Sequence, residues 1–151
     1  MRNLAAMREI IFRGKRFDNG EWATGFLLPF PDDVALMYER DLDDKEVVGT
    51  TSVDVDQKTV GEYTGILDKD GNRIFEGDIV ECVSWNEYFS DPTTGKVMEP
   101  FRRKMEVVFM AGGFKLVEHL PQPCKDNVWN MIVEGDLTVI GNIHDNPELL
   151  N

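Results

Sequence analysis

From Gly61 to Cys82 the chain reads GEYTGILDKDGNRIFEGDIVEC, in which short aliphatic and aromatic runs are interrupted by Gly61, Gly65, Gly71 and Gly77. Glycine at such intervals marks places where strands turn or bend, because it enters positive φ without steric cost. The same punctuation recurs along the chain, and strand signals outnumber helix signals. Residues 10–12 begin an extended run that stops at Asp18-Asn19-Gly20, and residues 22–28 resume it, which predicts a hairpin. Ala111-Gly112-Gly113 predicts a second hairpin between residues 104–110 and 114–117.

Other segments predict shorter elements. Residues 34–38 suit one helical turn, 47–48 and 52–56 short strands, and 56–58 a turn leading into the next strand. Gly77 feeds a strand over 78–83, and residues 137–140 form another before the Gly141-Asn142 turn. Asn146 and Pro147 suit the N-cap and first position of a terminal helical start. Residues 84–100, with Asp-Pro and Thr-Thr-Gly signals, form a long polar excursion, and Pro121 and Pro123 an irregular piece. The expected fold is one mainly-β domain over residues 1–151: a compact, strongly bent β-barrel with hairpin excursions and little helix.

Charge narrows the function classes. The chain of 151 residues carries a formal charge of −12, and residues 31–80 hold fourteen acidic against five basic side chains. That field repels phosphate, so direct nucleic-acid binding is disfavoured. The short basic clusters Lys15-Arg16 and Arg102-Arg103-Lys104 read as solvated faces. No apolar run is long enough to span a bilayer. Arg8, Glu9 and Arg13 interrupt any apolar signal core at the N-terminus, and Cys82 and Cys124 are too far apart for a disulfide scaffold. The expected location is the cytoplasm.

Three chemical patterns merit testing. Asp68, Asp70 and Asn72 occupy the first, third and fifth positions of a calcium loop, but Arg73 replaces its glycine and Ile79 its bidentate glutamate. Asp70-Gly71-Asn72 is therefore read as a hairpin turn supplying positive-φ residues. Cys82, His119, Cys124 and His144 lack the paired spacing of a structural zinc site. Pro31-Asp32 with Asp56-Gln57-Lys58 matches the letters of a magnesium nuclease, in which two carboxylates hold the metal and a lysine helps activate water. So many acids make that match easy by chance. No catalytic, cofactor or metal residue is assigned. The aromatics Trp22, Tyr38, Tyr63, Trp85, Tyr88 and Trp129 are read as core or interface residues.

Three blocks carry a family resemblance. They are residues 7–22 (MREIIFRGKRFDNGEW), residues 59–80 around Gly61, Tyr63, Gly65, Asp70, Gly71, Gly77 and Asp78, and residues 139–150 around Gly141, Asn142, Asn146 and Pro147. In this order they resemble the signature of the YopX family. Glu76-Gly77-Asp78 before Ile79-Val80 also resembles the turn-into-strand element of SH3-like barrels. The resemblance implies a phage or prophage origin, a compact β-rich fold and scaffold roles for the named residues, with no catalytic residue to carry over. Residues 1–6 precede the family-like start, and residues 31–50 and 84–100 match it less clearly. The expected function is a non-enzymatic phage accessory protein acting through protein contacts, with self-association. An acidic DNA mimic using residues 32–56 is the alternative, and a metal-dependent nuclease the third.

Overall fold

Apolar residues at alternate positions place one face of each strand inside. In Val34–Glu39 the buried residues are Ala35 and Met37; in Trp22–Pro29 Ala23 is buried and Leu27 half-buried. The computed structural model describes residues 9–39, 51–84, 93, 95, 101–121, 127–131 and 136–151. The expectations for residues 1–6, the strand at 47–48, Pro123, Cys124 and most of the 84–100 excursion lie outside them. The chain is mainly β and divides into two compact units, Met1–Ile66 and Leu67–Asn151. Among the described residues no helix is long and apolar enough to cross a membrane.

In the first unit β1 (Phe12–Arg16), β2 (Trp22–Pro29), β3 (Val34–Glu39) and β4 (Ser52–Leu67) pair antiparallel in chain order. Strand β1 also pairs with β4, so the sheet is partly ring-closed. The barrel expectation goes further than these pairings. Ala23, Ala35, Met37 and Val55 are buried inside, with Phe12, Leu27, Val53 and Val60 packed against them. Each fully buried side chain of Val or Met size contributes about 1.5–3 kcal/mol. At Gly14 the strands pack closely: a Cβ would stand 3.1 Å from Val55 and 3.2 Å from Val60, so either side chain would have to give by a few tenths of an ångström.

Two expectations in this unit need correction. Residues 34–38 form strand β3, not a helical turn, because period-two burial against both β2 and β4 outweighs local propensity. The turn expected at 56–58 lies inside one sixteen-residue strand. It is a bulge, visible as a register shift opposite Arg13 and Lys15. Asp56 accepts the Lys58 N–H on its carboxylate (3.0 Å) and the Thr59 hydroxyl on its carbonyl (2.7 Å). Thr59 Oγ1 in turn accepts the Lys15 N–H at 2.8 Å. The first hairpin is as expected: Gly20 has φ +73, and its N–H donates to the Arg16 carbonyl.

In the second unit β5 (Arg73–Phe75) follows the 68–72 turn. An antiparallel sheet then runs β10 (Asp136–Asn142), β6 (Asp78–Ser84), β7 (Phe101–Met110), β8 (Gly113–Glu118) and β9 (Asn127–Asn130). Its buried residues include Val80, Cys82, Met105, Val107, Leu116 and Leu137. Strand β9 lies in a stretch for which no strand was expected. The β7–β8 turn is as expected, though with alanine where glycine is usual: Ala111 (φ +50) and Gly112 (φ +79) both take positive φ. At the C-terminus Pro147–Leu150 is a single 3-10 turn. Pro147 opens it, but Asn146 makes no side-chain cap. Its Oδ1 instead accepts the Asn142 N–H at 3.4 Å.

Candidate functional site

The 68–72 turn is built on one buried carboxylate. Asp68 Oδ1 accepts the N–H groups of Asp70 (2.9 Å) and Asn72 (2.8 Å); Oδ2 accepts Asn72 Nδ2 (3.2 Å) and the Val139 N–H (3.1 Å). Burial, the largest single influence, pushes this carboxyl up, but the donated hydrogen bonds together outweigh it and hold it below the usual carboxylate range. Both oxygens thus face N–H donors, which is the environment of a turn keystone rather than of a cation ligand. The hairpin reading stands with one correction. Gly71 alone of the three turn residues takes positive φ (+85), while Asp70 and Asn72 do not. Asp68 rather than Asp70 organises the turn.

The other family-motif residues hold backbone together in the same way. Gly77 has φ +83; its N–H donates to the Val107 carbonyl (2.8 Å), and its carbonyl accepts the Ile143 N–H (2.9 Å). Buried Asp78 accepts the Phe75 N–H at 2.8 Å. Asn142 Oδ1 accepts the N–H groups of His144 (3.0 Å) and Asp145 (2.9 Å). Gly141 leaves space for this knot: a Cβ there would lie 2.6 Å from Asn146 Oδ1 and 2.9 Å from Leu149 Cδ1. Gly61 and Tyr63 are buried in β4, where the Tyr63 N–H donates to the Ile11 carbonyl at 2.8 Å. Gly65 is exposed with φ +86.

The residues singled out for chemistry are only partly brought together. The structure does unite both halves of the nuclease-like pattern. Lys58 Nζ reaches Asp33 Oδ2 at 2.8 Å, and the Gln57 N–H donates to the Asp33 carbonyl. The lysine is thus ion-paired to Asp33, not poised beside Asp32, on an exposed surface, and the hydrogen bond to Asp33 raises its pKa. Asp56 is occupied by its bulge. Of the zinc candidates, Cys82 is buried in β6 and His119 Nε2 lies 2.6 Å from Glu106; Cys124 is outside the described residues. Among the described residues no group of three or more His, Cys, Asp or Glu side chains is placed to hold a metal.

The described aromatics divide between core and surface, and Trp85 and Tyr88 lie outside the described residues. Tyr63 is buried, and Trp22 lies under Arg13 (4.7 Å) and Lys15 (5.6 Å). On the outer face of the first sheet, opposite its core, β2 and β3 carry an apolar row beside the polar Ser52 and Asp54 of β4. Phe26 stands opposite Tyr38 and Leu28 opposite Leu36 across β2 and β3, and Phe26, Leu28 and Tyr38 are 51%, 47% and 37% exposed. With half-exposed Phe30 beyond them, these side chains offer on the order of 350 Å² of apolar surface. The readable signal lay in β2 itself: residues 26–28 are apolar at successive positions, so whichever face turned inward, another apolar face stayed outside.

A comparison with curated proteins finds no match. Among solved structures, the chain is similar to protein EF1440 from Enterococcus faecalis, known from a crystal structure. The TM-score is 0.51 at 22% identity, covering 96% of this chain and 100% of that one. That likeness concerns the fold alone. The family model described as YopX protein matches residues 11–151, which takes in all but the opening of the first family-like block and the whole of the other two. The chain belongs to the YopX family.

Proposed function

We propose that this chain is a non-enzymatic accessory protein of a phage or prophage, working as one domain in the host cytoplasm through protein–protein contacts. The observation that carries the reading is the outer face of the first sheet. Phe26, Leu28, Leu36 and Tyr38 form a contiguous apolar row where solvent-facing strand positions are ordinarily polar. A single family match running through both compact units supports treating them as one functional domain. The motif residues support the same reading, since Asp68, Gly77, Asp78, Gly141 and Asn142 serve the scaffold.

The test is capture from host lysate on the immobilised full chain, with Phe26→Asp and Tyr38→Asp as controls. Both positions are solvent-facing, so the variants should melt close to the parent. Loss of the captured protein with either variant is the expected result. Capture of the same proteins by parent and variants alike would remove the face from consideration.

A further inference from the structure

We propose that β9 is a self-association edge, pairing antiparallel with β9 of a second copy across a two-fold axis normal to the sheet. This surface is separate from the apolar face of the first sheet and stands on different observations. Among the described residues β9 ends the sheet order, hydrogen-bonded to β8 on one side only. Edge strands are ordinarily blunted by charges, proline or bulges. The opposite edge, β10, carries such a device in the register shift between Val139 and Gly141. Strand β9, Asn127-Val128-Trp129-Asn130, has no charge, no proline and no shift in its pairing with β8. All four residues are exposed, with Val128 51% and Trp129 41% accessible on opposite faces.

Charge selects the occupant. In a chain of net charge −12, an uncharged strand is where two copies approach with the least repulsion. Among the described residues, Glu118, which pairs with Asn127 across β8 and β9, is held by Arg103 (3.3 Å) and by the Asn127 amide (3.1 Å). Arg103 also lies 4.9 Å from the Trp129 ring, which fixes that indole at the edge. Antiparallel pairing of identical strands is two-fold by construction. An axis normal to the sheet keeps each face continuous, so opposed residues must share a face. Trp129 therefore stands opposite the partner's Trp129, or Val128 opposite the partner's Val128, and Val128 never stands opposite the partner's Trp129. Four residues make few hydrogen bonds, so the dimer is weak and depends on concentration.

Sedimentation of the full chain from micromolar to near-millimolar concentration tests this. A reversible monomer–dimer equilibrium is expected, weakened at least about tenfold by Val128→Lys and by Trp129→Glu. In a Cys124→Ser background, one of Val128→Cys and Trp129→Cys should form a disulfide-linked dimer, because directly opposed Cβ atoms approach disulfide range. If a charged variant fails to fold, the cysteine pair still decides. A chain that stays monomeric throughout overturns the proposal. So does a dimer insensitive to both charges, or cross-linking between Val128→Cys and Trp129→Cys chains that exceeds cross-linking between like chains.

Discussion

Asp68 accepts the backbone N–H of Val139 at 3.1 Å, tying the turn after β4 to strand β10 across 71 residues of sequence. Beside it the Lys69 N–H donates to the Leu137 carbonyl at 2.9 Å. The turn is therefore a tertiary contact as well as a local one. Removing its carboxylate strands two backbone donors of the turn and one of β10 at once. Asp68→Ala should cost about 2–4 kcal/mol, whereas Asp70→Ala should stay within about 0.5 kcal/mol. Urea midpoints of the two variants decide it; equal losses would mean that the hub contributes no more than its neighbour.

The same carboxylate sets an acid dependence. Its folded pKa is depressed, so between that value and the ordinary one near 3.9 the unfolded chain binds more protons than the folded chain. Its contribution is complete above about pH 4 and is lost as pH falls through the folded pKa. Asp68→Asn should therefore be less stable than the parent at neutral pH, with the gap closing below about pH 4. Urea titrations across that range check it, and a gap that widens on acidification would contradict the sign.

Gly141→Ala should destabilise by about 1–3 kcal/mol, because the new methyl group meets Asn146 Oδ1 at 2.6 Å and Leu149 at 2.9 Å. Asn146→Gly in the same chain should recover part of the loss by clearing the nearer obstacle. Thermal melts of the single and double variants measure the coupling; additive losses would place the clash elsewhere.

Ala111→Gly should stabilise the protein by about 0.5–1 kcal/mol, since alanine at φ +50 is strained and the β7–β8 turn requires positive φ at both central positions. Gly77→Val errs in the other direction, placing a β-branched residue at φ +83 for about 1–3 kcal/mol of strain, and should cost more than Asp70→Ala. A melting temperature unchanged by Ala111→Gly would show that the turn relaxes around alanine.

Calcium, magnesium and zinc should leave the melting temperature without a saturable shift. An ion bound only by the folded state adds about 2.7 kcal/mol at a hundredfold excess over Kd. Both oxygens of Asp68 face N–H donors, and no described cluster offers three ligands. A saturable rise with calcium, removed by Asp68→Ala, would contradict the turn reading.

Much of this fold is local chemistry, and that part is legible in the sequence. Gly20, Gly71, Gly77 and Gly112 mark turns because φ preference belongs to the residue itself, and alternating side chains between such turns specify strands. What the order of residues leaves open is which segments meet. Residues 34–38 favour a helical turn in isolation and become β3 only because β2 and β4 supply partners on both sides. Strand β9 carries too little pattern of its own and exists as the hydrogen-bonded neighbour of β8. Asp68 and Asn72 fit a metal loop as well as a turn until Val139 arrives from β10 to occupy the carboxylate. Likewise, apolar residues at 26–28 guarantee an exposed row, but only the packing of Ala23, Ala35, Met37 and Val55 decides that Phe26, Leu28 and Tyr38 form it. Turn positions are set by single-residue energetics; partners and faces are set by burial, which depends on the whole chain.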